Sequence, residues 1–220
     1  MRIQLPTLFC IALLFTLAGC QMMVGKDKVS GSGQAKTETR QLAPFTAVEV
    51  KCAGTFNVVA QGQRSVEISG DDNIIPLITT EVRNNTLYVI ASKDYDPKNK
   101  LHVSISAPDL EKFVLAGVGE ATLSHIKNDR LELVASGAGE LSASGETREA
   151  DITLSGAGRI DARNLLAERA KATSTGVGEL EVYARDQLDA STSGVGSINY
   201  YGNPKAVNKH AGGMGEINQK

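Results

Sequence analysis

Gly137-Ala138-Gly139-Glu140-Leu141, Gly156-Ala157-Gly158-Arg159-Ile160 and Gly176-Val177-Gly178-Glu179-Leu180 are three copies of one phrase. Three further copies of its glycine pair stand at Gly117-Val118-Gly119, Gly194-Val195-Gly196 and Gly213-Met214-Gly215. From one first glycine to the next the spacing is 20, 19, 20, 18 and 19 residues. Six copies at so even a period signal a repeat architecture, in which each repeat is one structural unit stacked on its neighbours.

The columns around the motif decide what that unit is. Two residues after each second glycine come Ala121, Leu141, Ile160, Leu180, Ile198 and Ile217. Before the first glycine, alternate positions read Leu131, Leu133 and Ala135 in one repeat and Ala150, Ile152 and Leu154 in the next. Later copies use smaller residues: Ala170, Ala172 and Ser174, then Leu188, Ala190 and Thr192. The positions between are polar, as Glu132, Asp151, Thr153, Lys171 and Asp189. A period of two on both sides of the motif marks half-buried strands. The same pattern and the glycine density exclude helix. Each repeat therefore reads strand, GxG, strand, turn. The expected fold is all-β: a single-stranded β-helix with about 19–20 residues per coil, equivalent residues pairing as parallel strands about 4.8 Å apart. The glycines let the chain bend and approach its neighbour where a Cβ would not fit. Phosphate cradling is excluded, because it needs a third glycine and a following helix.

Composition agrees with a thin stacked core. The 220 residues contain 22 Gly, no Trp and 5% aromatics. The net charge of −2 gives no reason to invoke nucleic acid. Outside the repeats, residues 42–108 are also strand-like, at Val48–Val50, Phe56–Val59, Val66–Ile68, Leu87–Ile90 and His102–Ser106. Asn84-Asn85 is placed as a hairpin turn, and Gly54-Thr55-Phe56-Asn57-Val58 as a degenerate early copy of the motif. One domain over 42–220 is expected, with N-terminal coils at 42–109 and the GxG repeats at 110–218.

The N-terminus carries an address. Arg2 precedes an apolar run, Ile3 to Leu17, too short for a comfortable membrane span. It ends in Leu17-Ala18-Gly19-Cys20, which resembles the bacterial lipobox. That resemblance implies a signal peptide over 1–20, lipidation of Cys20 and anchoring through buried acyl chains. Gln21 resembles the residue that sends Gram-negative lipoproteins to the outer membrane. Residues 21–41 are polar and Gly/Ser-rich and read as a flexible tether with a reach of about 25 Å. With Cys10 and Cys20 assigned to the leader and the lipid, Cys52 is left alone, on the apolar face of a strand with Val48 and Val50. It reads as a buried, inert thiol.

The sixfold GxG phrase, ending in Gly215-Glu216-Ile217-Asn218 and preceded by a lipobox and a spacer, resembles the head GIN domain family of auto-transporter adhesins over about residues 42–218. The resemblance implies a β-helical fold and a cell-envelope location, with adhesion as the associated activity.

Candidate chemistry follows from the outward columns. Glu120, Glu140, Arg159, Glu179, Ser197 and Glu216 form one, if the coils stack in register. There Glu120 and Glu140 repel by roughly 0.9 kcal/mol at the dielectric of water, and Arg159 is placed to relieve Glu140 and Glu179. The column reads as a solvated ladder; the sharper alternative is a divalent-cation site at Glu120/Glu140. Five residues past the motif come Ser124, Ser144, Arg163, Tyr183 and Tyr201, a second column able to grip a sugar ring or peptide; Tyr200 falls on the inward register. His102, His125 and His210 have no catalytic partners, and no GxSxG, HExxH or CxxC occurs. The sequence thus points to a non-enzymatic envelope lipoprotein presenting a binding or adhesion surface. It implies no cofactor and no structural metal, the membrane as one partner through the lipid, and an envelope polysaccharide or protein as the other. The alternatives are a carbohydrate-active enzyme on a β-helix and a structural envelope-assembly protein.

Overall fold

A computed structural model describes residues 28–220; the readings of the leader, Cys20 and Gln21 concern residues outside it. Four GxG motifs each open a long bent strand: Val118–Ala135, Ala138–Leu154, Ala157–Ser174 and Val177–Thr192. Each pairs in parallel with the next. The second glycines stack in one column, from Gly119 through Gly139, Gly158, Gly178 and Gly196 to Gly215. Leu141, Ile160 and Leu180 lie over one another in register. The fold is the β-solenoid that the sequence predicts.

Every coil contributes to two sheets, one leaving the GxG corner and one arriving at it. The leaving sheet begins with Ala35–Arg40, Ser65–Asp71, His102–Ala107 and Ala53–Ala60. It continues through the first halves of the four long strands to Val195–Tyr201 and Met214–Gln219. The arriving sheet runs from Ile78–Arg83, Thr86–Ala91, Ala47–Lys51 and Lys112–Leu115 through the second halves to Ala206–Ala211. Between the sheets the inward columns form one continuous core. Leu131, Leu133, Ile152, Leu154, Ile160, Leu180 and Leu188 are all fully buried. Phe45, Phe56 and Phe113 fill its N-terminal part, and Tyr200 is buried near its C-terminal end.

Residues 42–108 supply the first coils. Gly54 pairs with Gly119 and Phe56 with Ala121, so the degenerate motif holds an authentic motif position. Asn84 and Asn85 have φ of 47° and 63° between antiparallel strands, the left-handed pair that a tight hairpin requires. Val48, Val50 and Cys52 are buried as the alternation predicts.

The tether reading of 21–41 does not hold for its described part. Val29–Ser30 pairs with Tyr95–Asp96, and Ala35–Arg40 forms an antiparallel edge strand on Ser65–Asp71. The physical reason is that an edge strand takes its hydrogen bonds from its neighbour's backbone and leaves its side chains in water. Ala35-Lys36-Thr37-Glu38-Thr39-Arg40 therefore shows no apolar alternation for composition to detect. What pins this arm is a buried carboxylate. Asp71 is fully buried and accepts from the backbone N–H of Gly33 (2.8 Å), Lys98 (2.8 Å) and Asn99 (3.1 Å), and from the Asn99 side-chain amide (2.7 Å).

Ion pairs cross between adjacent coils at several levels. Lys112–Glu132 (2.8 Å), Asp129–Arg148 (3.0 Å), Glu149–Arg169 (2.5 Å) and Glu168–Arg185 (3.0 Å) each join a residue to one on a neighbouring coil. Exposed pairs contribute about 0–1 kcal/mol each. They also select the register, because a slip would set like charges together.

Candidate functional site

The first outward column stands as the sequence predicts: Glu120, Glu140, Arg159, Glu179, Ser197 and Glu216 are consecutive cross-coil partners. Glu120 and Glu140 are adjacent and exposed. Arg159 does not relieve Glu140. It reaches Glu179 at 3.6 Å and, more closely, Glu181 at 2.7 Å. Among the described residues no group of three His, Cys, Asp or Glu side chains is gathered as metal ligands require.

Glu181 was not a candidate from sequence, yet it organises this face. It belongs to the next outward column, Thr122, Ser142, Asp161, Glu181, Asn199 and Asn218. Its side chain is only 5% exposed, beneath Arg159 and Arg163 (2.9 Å), while the Tyr201 hydroxyl donates to it at 3.1 Å. Arg163 also grips Asp161 at 2.6 Å. Its hydrogen bond holds the Asp161 carboxyl below the usual range against the opposing effect of burial. Asp161 and Glu181 raise the Arg163 guanidinium above its ordinary value. Asn199 donates to Glu179 across the coil. The only signal for this network in the sequence was the length of Glu181 in a column of short polar residues.

The second column is broken. Tyr183 and Tyr201 are adjacent, but Ser144 pairs with Asn164, not Arg163, because one extra residue enters the corner after Ser142. Arg163 instead crosses a coil to lie 5.8 Å from the centre of the Tyr201 ring, a cation–π contact. Tyr200 is in the core, as its register predicts. The guanidiniums of Arg159 and Arg163 are thus engaged within the protein, and the predicted gripping column is a closed network with Tyr183 at its margin.

The residues between the glycines form a ridge that points outward. Val118, Ala138, Ala157, Val177, Val195 and Met214 stack in line. Val118, Val177, Val195 and Met214 are 57%, 57%, 43% and 75% exposed.

A furrow follows the corner opposite the GxG ridge. One hollow of about 500 Å³ lies over Arg148, Leu166, Tyr183 and Arg185. A wider one of about 930 Å³ lies over Gln61, Asn84, Asn85 and Arg130. Both are lined by Lys127, Asn128 and Asp129, so they adjoin along the corners of successive coils. Its narrow part comes from the uneven repeat. After Ala162 the cross-coil pairing resumes only at Ala167 with Ala184, so Arg163–Leu166 bulge over a shorter corner in the next coil. Leu166 is left 47% exposed.

His102, His125 and His210 are exposed. His125, with φ of 59°, marks a corner. Cys52 is 5% exposed, and burial pushes its thiol up to about 12, against the smaller opposing effect of the neighbouring Tyr95 hydroxyl, which itself donates to the Ala53 carbonyl oxygen.

A solenoid of stacked coils, with hollows along one corner and buried carboxylates locked into structural networks, belongs to the class of repeat proteins that build long continuous surfaces. The chain belongs to the family described as "Putative auto-transporter adhesin, head GIN domain", whose model matches residues 44–204. Among solved structures it is similar to a "putative adhesin" from Bacteroides fragilis NCTC 9343, with 26% identity and a TM-score of 0.71, covering 87% of this chain and 100% of that one. A "putative lipid binding protein" from Parabacteroides distasonis ATCC 8503 shares 21% identity with a TM-score of 0.56, over 88% of this chain and 100% of its own. A "putative adhesin" from Parabacteroides merdae ATCC 43184 shares 21% identity with a TM-score of 0.51, over 88% of this chain and 99% of its own. These last two share the fold. No curated protein matches the chain.

Proposed function

We propose that this protein is a non-enzymatic adhesin of the cell envelope, lipid-anchored at Cys20 in the outer membrane, that holds an extended ligand along its solenoid. The observation that carries the reading is the furrow, two adjoining hollows into which successive coils present side chains. A furrow running along a stack of coils suits a long ligand, each coil adding a small increment of contact. Hydrolysis or elimination on the same scaffold would call for a carboxylic acid kept protonated by burial beside a second carboxylate. The furrow's carboxylates are exposed or half-exposed, and Asp129, Glu132 and Glu168 are ion-paired. Because folded structure begins by Val29, the chain from Cys20 to Lys28 spans at most about 30 Å. That holds the solenoid close to the bilayer.

Two measurements test this reading. Cys20→Ala should move the protein from the membrane fraction to the soluble fraction of its host. Beads carrying the full-length protein in detergent should retain isolated cell envelopes, and beads without it should not. Equal retention by both kinds of bead would remove adhesion.

A further inference from the structure

We infer that the furrow is a binding site for a linear glycan without strong net charge, one sugar meeting each coil. The inference rests on the adhesin reading and names its ligand class. Four observations carry it.

The first is charge. The narrow hollow offers three cations, Lys127, Arg148 and Arg185, against three anions, Asp129, Glu146 and Glu168. Two of the cations are already paired within the protein. A polyanion or polycation would find no field of one sign to draw it in. A chain of hydroxyls would.

The second is the kind of polar group. Planar amide, carboxylate and guanidinium groups present paired donors and acceptors, the arrangement that matches neighbouring hydroxyls. Asn84, Arg130 and Glu146 line the two hollows and make no side-chain hydrogen bond among the described residues. The Asn85 side-chain amide donates to Thr46, and its side-chain oxygen accepts no hydrogen bond among the described residues.

The third is the apolar wall. Leu166 protrudes and Tyr183 stands half-buried in the same hollow. The C–H face of a sugar ring packs on such a surface while its hydroxyls turn to the polar wall. An extended peptide would have backbone N–H and C=O groups to satisfy, and along the furrow the ladder is interrupted only over short stretches such as Arg163–Leu166, too short to receive an added strand.

The fourth is spacing. Coils repeat about every 4.8 Å, close to the length of one pyranose ring. Successive sugars of an extended chain therefore meet successive coils.

The test is calorimetric titration of the full-length protein in detergent. The probes are neutral β-glucan, mannan and xylan oligosaccharides of two and six units, with polygalacturonate and polylysine as charged probes. At least one neutral hexamer should bind, at least tenfold more tightly than its dimer. Tyr183→Ala and Leu166→Glu should each weaken it at least tenfold, while Ser191→Ala on the other sheet should not. Circular dichroism should show all three variants folded. No neutral hexamer binding at millimolar concentration, binding by a charged probe alone, equal affinity for dimer and hexamer, or indifference to both furrow variants would overturn the glycan assignment. If envelopes are still retained in any of those cases, the adhesin reading stands without it. If envelopes are not retained either, both fail.

Discussion

The carbonyl oxygen of Gly139 occupies the place where a Cβ on Gly158 would stand. The two residues are cross-coil partners, and φ at Gly158 is 145°, a conformation open to glycine and strained for other residues. Gly158→Ala therefore combines backbone strain with a clash against backbone that cannot rotate away. It should destabilise the solenoid by about 3–5 kcal/mol, read as a lower urea midpoint. Gly212→Ala is the control. Its Cβ would meet only the Thr192 carbonyl oxygen at an ordinary 3.5 Å, so its midpoint should stay near that of the parent. Equal effects of the two substitutions would mean that the motif glycines are not held by stacking.

Glu181→Ala tests the network on the leaving sheet. It leaves the Arg159 and Arg163 guanidiniums facing each other without the carboxylate between them, and removes the acceptor of the Tyr201 hydroxyl. Breaking a fully buried pair costs about 3–5 kcal/mol. Both arginines are more than a third exposed, so water recovers part of that, and a loss of about 1–3 kcal/mol is expected. Glu181→Gln should lose less, because it keeps an acceptor. Unchanged stability in the alanine variant would show that the arginines find other partners.

Cys52 should be silent to thiol reagents in the native protein. The thiolate is the reactive species, and burial holds this thiol near 12. At pH 8 a chromogenic disulfide should label it rapidly in 8 M urea and at least a hundredfold more slowly without urea. Fast labelling of the folded protein would place the side chain at the surface.

The sequence showed the solenoid because a stacked coil writes each structural column at a fixed offset. Gly139, Gly158 and Gly178, or Leu141, Ile160 and Leu180, could be aligned by counting. The same counting failed wherever the coil length changes. Arg163 sat beside Ser144 on paper. One extra residue at that corner moves Asn164 into its place and sends Arg163 to Tyr201. The furrow was invisible for the same reason, since its wall at Leu166 exists through the mismatch between a longer and a shorter corner. Asp71 was illegible in a different way. Its partners lie 27 to 38 residues away, in segments with no periodicity to announce them.

The Asp71 clamp makes the N-terminal arm sensitive to acid. Burial opposes ionisation of this carboxyl. Hydrogen bonds from Asn99, Lys98 and Gly33 outweigh it and hold the carboxyl below its ordinary value of 3.8. A carboxyl depressed in the folded state contributes stability that is complete above the unfolded value and is lost as pH falls through the lower, folded one. The arm Val29–Arg40 should thus be fully docked at pH 5 and above and loosen below pH 4, before the GxG coils open. Amide exchange over Ala35–Arg40, corrected for the intrinsic effect of pH, should rise several-fold between pH 5 and pH 3, with Leu141–Leu154 still protected. Asp71→Asn replaces an accepting oxygen by an amide that faces backbone donors, so it should show the loosened arm already at pH 7 and lose the acid response. An arm that exchanges alike at pH 5 and pH 3 in the parent, or that stays protected in Asp71→Asn, would assign its docking to the strand pairing with Ser65–Asp71 alone.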